Sequence, residues 1–304
     1  MKKVIVVAGG TGNLGERVIK ALLASGAEVR ALIRASSNKN KIEKLQKSGV
    51  QVIPVNLSYT EEVARACAGA TCVVSTLSGL RDVIVDAQKV LLHAAIAAGV
   101  PRFIPSDYSI DFTRLEVGEN RNLDLRKEFQ QYLDQQAGIA ATTIFIGAFA
   151  DMLTGQMPLI LFKLKRVLYW GSADQRMDFT TMDDTAAYTA YAALDEATPR
   201  YLRIAGDVVS ARQLKVIVSN VAKERFHLFR VGGLGMLRLL IKIARKVAPG
   251  EQELYPAWQG MQYMHNMLSG KAKLNPLDNN RYPAMRWTTV RDVLTAHQVS
   301  SGGK

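Results

Sequence analysis

The strongest constraint on the fold of this chain is a hydrophobic segment followed at once by three evenly spaced glycines. Residues 4–7 read Val-Ile-Val-Val, a continuous β-branched run typical of a parallel strand buried on both faces. The glycines Gly9, Gly12 and Gly15 come next, and apolar residues then recur at helical spacing, namely Val18, Ile19, Leu22 and Leu23. A strand, a glycine turn and a helix in this order predict a site for a dinucleotide, whose diphosphate meets the free N–H groups of the helix N-terminus.

Each of the three spaced glycines has a separate predicted role. Gly9 allows the tight turn, Gly12 lets the backbone approach a diphosphate, and Gly15 lets the helix pack closely on the strand. The alternative, a purely structural turn, is disfavoured by the strand and helix on either side. We therefore predict cofactor contacts along the whole loop, from Gly9, Thr11, Gly12, Asn13, Leu14 and Gly15.

The end of the second predicted strand selects between the two nicotinamide dinucleotides. That strand ends at Arg34, and none of the eight residues after it is acidic. An acidic side chain here would bond the ribose hydroxyls of NAD, whereas arginine, hydroxyl and lysine groups suit the 2′-phosphate of NADP. We predict NADP(H) in preference to NAD(H), with Arg34 as the main phosphate ligand and Ser36 and Lys39 as helpers. The alternative for the nearby lysines is a solvated helix face, which we prefer for Lys44 and Lys47.

Strand and helix patterns alternate along the first half of the chain. Further short apolar runs, separated by helical patterns, lie at 50–55, 71–75 and 100–104. This series predicts an α/β protein with a Rossmann-type doubly wound parallel sheet and a smaller C-terminal α+β substrate lobe. We place the NAD(P)-binding domain at 1–150 and the substrate-binding lobe at 151–304, with 177–206 returning to the sheet.

Loops at the carboxyl ends of the predicted strands supply the remaining candidate cofactor residues, because ligands of open α/β sheets bind at this edge. We expect contacts from the residues that follow the fourth and fifth strands and end the sixth, namely Leu77, Ser78, Pro105, Ser106, Gly147, Ala148 and Phe149. The small residues at 147 and 148 either let the nicotinamide ring lie flat or simply allow close packing. Gln88 either reaches this site or is a satisfied core glutamine.

Composition narrows the class of protein. The net charge is +12, and the sequence contains no helix-turn-helix, zinc-finger or RNA-recognition signature. A basic enzyme with an anionic cofactor is therefore favoured over a nucleic-acid-binding protein. No apolar run reaches the roughly 18 residues of a spanning helix, and the first apolar run is too short for a signal peptide. We expect a cytoplasmic protein without stable membrane insertion. The two cysteines and four histidines lack metal-ligand spacing, so we expect no metal site.

Several segments resemble one known family. The sequences GGTGNLG at 9–15, RFIPSDYSIDF at 102–112, MDFTTMDDTAAYTAYAAL at 177–194 and RIAGDVVSARQL at 203–214 are similar to the NmrA-like and isoflavone-reductase-like group of atypical short-chain dehydrogenases/reductases. The helical pattern near 123–136 and the apolar run at 139–149 also resemble that group's next helix and sixth strand. The resemblance is weaker beyond residue 214.

This resemblance bears on the reaction chemistry. Classical members of the superfamily carry a lysine four residues after a catalytic tyrosine, but here Phe112 follows Tyr108 at that distance. The isoflavone-reductase-like plan instead implies Lys127, whose amine would donate a proton or polarise a substrate oxygen. The alternative is a surface lysine on an amphipathic helix. Tyr108 and Asp107 are further candidates for substrate orientation, and Asp107 alternatively caps a turn.

The resemblance and the residues together predict an oxidoreductase. We expect an NADPH-dependent reductase of a small apolar or aromatic molecule of carbonyl or enone type. The alternative is a catalytically silent NADP(H)-sensing regulator, since NmrA-like proteins include such sensors. An enclosed pocket with a proton donor beside the nicotinamide would distinguish the enzyme from the sensor. The expected partner is a small-molecule substrate and not nucleic acid, and a homodimer is left open.

Two helical patterns in the last third carry alternatives of their own. The pattern at residues 234–247 predicts a basic amphipathic helix. We prefer a role in which this helix covers an apolar substrate pocket, and the alternative is that it binds a membrane surface. The next pattern is rich in Met and aromatic residues and includes His265. Core packing explains it, and a pocket for an aromatic substrate is the alternative.

Overall fold

Six short parallel strands form the main sheet of the protein in a computed structural model that describes residues 2–301. They are β1 (Val4–Ala8), β2 (Glu28–Ile33), β3 (Gln51–Pro54), β4 (Cys72–Ser75), β5 (Arg102–Ile104) and β6 (Ala140–Ala141). Their order is β3-β2-β1-β4-β5-β6, with every neighbouring pair parallel. The direction of winding reverses between β1 and β4, and this reversal is the point where doubly wound sheets bind their ligands.

Helices connect these strands. They are α1 (Asn13–Ala24), α2 (Lys39–Lys47), α3 (Thr60–Cys67), α4 (Gln88–Ala97) and α5 (Arg121–Leu133), with a π-helical segment at Asp82–Ala87 leading into α4. The three central residues of β1 are fully buried, as its β-branched run predicts. The predicted Rossmann-type doubly wound sheet is confirmed.

The chain divides into two compact units and passes between them several times. The first unit comprises the residues up to Tyr108, Leu125–Ile144 and Thr185–Leu202, and it contains the six-stranded sheet. The second comprises Ser109–Asp124, Phe145–Asp184 and the described residues from Arg203 onward. The assignment of cofactor binding to 1–150 and substrate binding to 151–304 stays a prediction.

Two small sheets and most of the later helices belong to the second unit. The strands are β8 (Ala148–Phe149), β9 (Ile160–Leu161), β10 (Arg166–Trp170), β11 (Arg176–Thr180), β13 (Asp207–Ser210) and β14 (His227–Gly232). One sheet has the order β13-β11-β8 and the other has the order β14-β10-β9. The helices are α7 (Ala211–Ala222), α8 (Leu234–Val247), α9 (Ala257–Leu268) and α10 (Val290–Ser301). Within the described part of the chain, four elements have residues in both units. They are the strands β7 (Thr143–Phe145) and β12 (Tyr201–Arg203), which pair with each other, and the helices α5 and α6 (Met182–Leu194).

The prediction of a single sixth strand over 139–149 is wrong. Only Ala140–Ala141 joins the main sheet as β6, whereas Ala148–Phe149 forms β8 and pairs with β11. Between them, Thr143–Phe145 forms β7 and pairs with β12, so the segment leaves the main sheet after Ala141. A further turn follows at Gly147, whose φ is +70°. A Cβ there would lie 2.2 Å from the carbonyl oxygen of Asp178, so the two backbones meet too closely for any side chain. Close packing in the second unit therefore accounts for this glycine, and the cofactor contacts of Gly147, Ala148 and Phe149 stay predictions.

Candidate cofactor-binding site

The glycine loop closes tightly between β1 and α1. Gly9 has a φ of +83°, and the Gly12 N–H donates to the Gly9 carbonyl oxygen over 2.9 Å. A Cβ on Gly15 would lie 2.2 Å from that same oxygen, and one on Gly9 would lie 2.9 Å from the carbonyl oxygen of Thr76. A side chain at either position would force the backbone to move, which confirms that the turn itself needs these two glycines.

The first turn of α1 is suited to an anion. Gly12 is the N-cap residue, and no side chain from the described part of the chain caps it. The N–H groups of this turn are therefore available to a diphosphate, and the helix dipole favours its negative charge. The exposed Gly12 and Asn13 and the half-buried Leu14 begin this turn. The loop fits the diphosphate of a dinucleotide.

A lysine that the sequence did not single out ties α2 to this loop. The Lys41 Nζ donates to the carbonyl oxygen of Thr11 over 2.7 Å and lies 2.8 Å from a carboxylate oxygen of Glu16. Lys44 also approaches Glu16, at 3.7 Å. These lysines offset the charge of the one acidic residue in the first turn of α1. The partners are 25 residues or more apart in the chain, so no local spacing could have revealed the contact.

The residues predicted for the 2′-phosphate lie directly after β2. Arg34, Ser36 and Lys39 are all exposed, and Arg34 accepts from the Ser37 N–H over 2.9 Å, which forms a turn. Lys39 begins α2 behind its N-cap residue Asn38. Because β2 pairs in parallel with β1, the group stands at the same sheet edge as the glycine loop. An exposed guanidinium at this position fits a phosphate.

The loops after β4 and β5 are joined through Ser106. Its Oγ donates to the carbonyl oxygen of Leu77 over 2.7 Å, and its N–H donates to Gln88 Oε1 over 3.0 Å. Gln88 is fully buried and also donates to the carbonyl oxygen of Ile84 over 2.8 Å. Gln88 is therefore a satisfied core glutamine that fixes the position of a loop bordering the switch point. Ser78 is exposed and Pro105 is buried beside this contact.

A buried ion pair lies at the carboxyl end of β5. Arg126 Nη1 is 3.9 Å from Asp107 Oδ1, and the Thr143 hydroxyl donates to Asp107 Oδ2 over 3.1 Å. Burial raises the pKa of Asp107 to about 6, although the positive charge of Arg126 and the hydrogen bond from Thr143 act in the opposite direction. Asp107 thus links α5 and β7 to the end of β5.

The raised pKa of Asp107 predicts a pH-dependent loss of stability. Its folded pKa of about 6 exceeds the ordinary value of 3.8, so the folded state holds the proton more tightly and ionisation costs stability as the pH rises from about 4 to above 6. The wild type should lose up to about 3 kcal/mol over this range relative to Asp107→Asn, which cannot ionise. Urea unfolding of both proteins across this pH range measures the difference, with Asp86→Asn at an exposed carboxylate as the control. A difference that stays flat with pH would contradict the prediction.

Two ion pairs hold α5 at the carboxyl edge of the sheet. Arg126 pairs with Asp107 after β5, and Glu128 accepts from Arg81, which follows the loop after β4, over 2.7 Å. Lys127 stands between these two residues in the helix and is half-buried. Position 127 is therefore at the edge where doubly wound sheets bind their ligands.

The other predicted catalytic residue, Tyr108, is in a different environment. Its side chain is buried, and this burial raises the pKa of its hydroxyl above the usual range. These are the properties of a packing residue, and a catalytic role for Tyr108 stays a prediction.

Cys67 and Cys72 are buried free thiols, and burial raises the pKa of Cys67 to about 11 and that of Cys72 to about 12. No metal-binding group of three His, Cys, Asp or Glu side chains occurs within the described residues.

Comparison with known proteins identifies the family. Residues 1–254 match the model of the NmrA-like family. The chain belongs to this family. The predicted resemblance is confirmed, and the match extends past residue 214, where the sequence motifs become weaker.

Relatives and solved structures agree with this membership. The chain is 26% identical over 310 residues to the bifunctional pinoresinol-lariciresinol reductase of Linum perenne. The aligned region covers 95% of this chain and 97% of the relative. A solved structure of AtPrR2 with NADP+ and (+)pinoresinol superposes with a TM-score of 0.82 at 22% identity, covering 98% of this chain and 99% of the other. The binary complex of leucoanthocyanidin reductase and NADPH from Vitis vinifera gives a TM-score of 0.81 at 18% identity, covering 97% and 99%. These likenesses confirm the fold, and the predicted reductase activity agrees with the names of these proteins.

Proposed function

We propose that this NmrA-like chain is an NADPH-dependent reductase of a small aromatic or apolar molecule of carbonyl or enone type. The observation that carries the proposal is the position of α5, whose Lys127 is held between two ion pairs at the sheet edge that also bears the open glycine loop. The names of the relatives support the aromatic part of this substrate class, because they include pinoresinol, lariciresinol and leucoanthocyanidin reductases, and two of the structures contain NADP+ or NADPH. The carbonyl or enone type comes from the proposed proton transfer to a substrate oxygen and not from these names.

Different residues of the first unit would bind different parts of the cofactor. The N–H groups of the first turn of α1 would hold the diphosphate, and Arg34 with Ser36 and Lys39 would hold the 2′-phosphate. The joined loops that contain Leu77 and Ser106 would border the nicotinamide end. When bound, NADPH supplies the hydride.

Lys127 would supply the proton. An ammonium group near the reacting carbonyl polarises its oxygen and then transfers a proton to it as negative charge develops. The ion pairs of Arg126 and Glu128 keep the backbone of α5 in place, so the position of the lysine does not depend on the substrate.

Arg34→Ala is expected to remove the preference for NADPH. Loss of a charged hydrogen bond to the 2′-phosphate should raise the Kd for NADPH by about 10- to 100-fold. The Kd for NADH should stay within about threefold of the wild-type value, since NADH has no phosphate there. Fluorescence titration measures both constants, and Lys47→Ala, an exposed cation in α2, is the matched control. A parallel loss of NADPH and NADH affinity would contradict a phosphate-specific role.

Turnover tests the proposed activity. The purified protein is incubated with NADPH and a panel of pinoresinol, isoflavone, leucoanthocyanidin and simpler aromatic enones, and consumption of NADPH is followed by absorbance and product analysis. Stoichiometric reduction of any of these supports the reductase, and reduction of the isoflavone or an enone supports the carbonyl or enone type of substrate. Micromolar NADPH binding without turnover on the panel would favour the alternative of an NADP(H)-sensing regulator. The cytoplasmic location stays a prediction, and a homodimer stays open. Among the described residues no helix is long and apolar enough to cross a membrane.

A further inference from the structure

Helix α8 in the second unit exposes an apolar stripe. The side chains of Met236, Leu239, Ile243 and Val247 are 47%, 57%, 50% and 79% exposed, respectively. Their spacings of three and four residues place them on one face of the helix. A contiguous row of exposed aliphatic side chains of this kind marks a site that binds another surface.

The other side of α8 is fixed to α9. Leu237 is fully buried, and Arg238 Nε donates to His265 Nε2 over 3.0 Å. The guanidinium of Arg245 lies 5.0 Å from the centre of the Trp258 ring. These contacts set the rotation of α8 about its axis, so the apolar stripe is held outward in the folded unit. His265 is therefore a packed residue of the lobe, as core packing predicts.

The charge of α8 is entirely positive. The helix carries Arg238, Lys242, Arg245 and Lys246 and contains no acidic residue. Lys242 and Lys246 are exposed, and neither forms an ion pair with an acidic group in the part of the chain that the structure describes. At 100° per residue, Lys246 is adjacent to the stripe and Lys242 borders its side.

We propose that α8 docks the protein on the surface of an anionic lipid bilayer, with the apolar stripe in the headgroup region and Lys242 and Lys246 against the lipid phosphates. Charge complementarity selects this occupant, because an apolar face bordered by lysines is the composition of interfacial helices. A second copy packed about a two-fold axis would bring the same cations together without any acid on α8 to offset them. Nucleic acid would use the lysines but leave the aliphatic stripe in water. This docking is peripheral and is independent of the proposed reductase activity.

Co-sedimentation of the full chain with vesicles tests the proposal. Vesicles of phosphatidylcholine with a large fraction of phosphatidylserine are compared with pure phosphatidylcholine. Binding is expected only to the anionic vesicles, and Lys242→Gln with Lys246→Gln should weaken it by roughly 25-fold, at about fivefold per residue. Leu239→Gln with Ile243→Gln should weaken it by at least about tenfold, because the apolar contact is lost. The matched control, Val117→Gln with Leu164→Gln, replaces exposed aliphatic residues elsewhere in the second unit and should bind as wild type.

Three results would overturn the proposal. The first is failure of the wild type to bind anionic vesicles at low salt. The second is full binding by the Leu239→Gln, Ile243→Gln variant, which would reduce the interaction to nonspecific attraction of a +12 protein. The third is a wild-type dimer that this variant converts to a monomer without lipid, which would make a second copy the occupant. All the replaced side chains are exposed, so the variants should fold as the wild type does. Thermal unfolding of each variant checks this.

Discussion

Lys127→Ala is expected to lower kcat for the reduction by about 10²- to 10⁴-fold, the usual contribution of a positioned general acid. The Kd for NADPH should remain within about threefold of the wild-type value, because the predicted cofactor contacts come from other residues. The physical reason is that the developing negative charge on the substrate oxygen would lose the proton donor and the positive charge that the lysine supplies.

Further variants separate proton donation from charge alone. Lys127→Arg keeps the positive charge, but a guanidinium does not release its proton, so kcat should also fall strongly. Lys20→Ala, at an exposed lysine of the same unit, should leave kcat unchanged. Single-turnover measurements with saturating NADPH provide the rate of the chemical step. Wild-type kcat in Lys127→Ala, in a protein that reduces its substrate, would remove Lys127 from the mechanism and favour its interpretation as a surface lysine.

Gly15→Ala is expected to weaken NADPH binding by about 100-fold and to destabilise the first unit by roughly 1–3 kcal/mol. The added Cβ would lie 2.2 Å from the Gly9 carbonyl oxygen and 2.8 Å from the hydroxyl oxygen of Thr76. The backbone carbonyl cannot move without moving the loop. The Thr76 hydroxyl is buried and held in place, because it donates to the Ala8 carbonyl oxygen over 2.8 Å. The start of α1 must therefore shift, which moves its N–H groups away from the diphosphate.

A matched glycine substitution tests whether this effect is local. Gly260→Ala lies in the exposed part of α9, where an added Cβ meets nothing within 4 Å. It should leave NADPH affinity unchanged and raise the stability by about 0.5–1 kcal/mol, since alanine is the better helix former. Isothermal titration and urea unfolding measure the two quantities. Tight NADPH binding by Gly15→Ala would show that the diphosphate does not depend on the start of α1.

The sequence by itself determined the main sheet, the glycine loop and the family. Each of these rests on a local pattern: the β-branched run before Gly9, the alternation of strands and helices, and motifs such as that at 102–112. Such patterns survive in a single sequence because neighbours along the chain also lie together in the strand, the turn and the helix. The bounds of α8 were likewise predicted residue for residue from its amphipathic period.

Only the tertiary structure decided which distant side chains meet. The contact of Lys41 with Thr11, the ion pair of Asp107 with Arg126 and the hydrogen bond from Ser106 to Gln88 all join segments brought together by the order of the strands. The end of the sixth strand was decided in the same way, because residues 143–145 pair with the distant strand β12 instead of the main sheet. The period of α8 shows that it has an apolar face. Which of its aliphatic residues reach the surface depends on how Leu237, Arg238 and Arg245 attach the helix to its neighbour, and these are long-range contacts that no local period encodes.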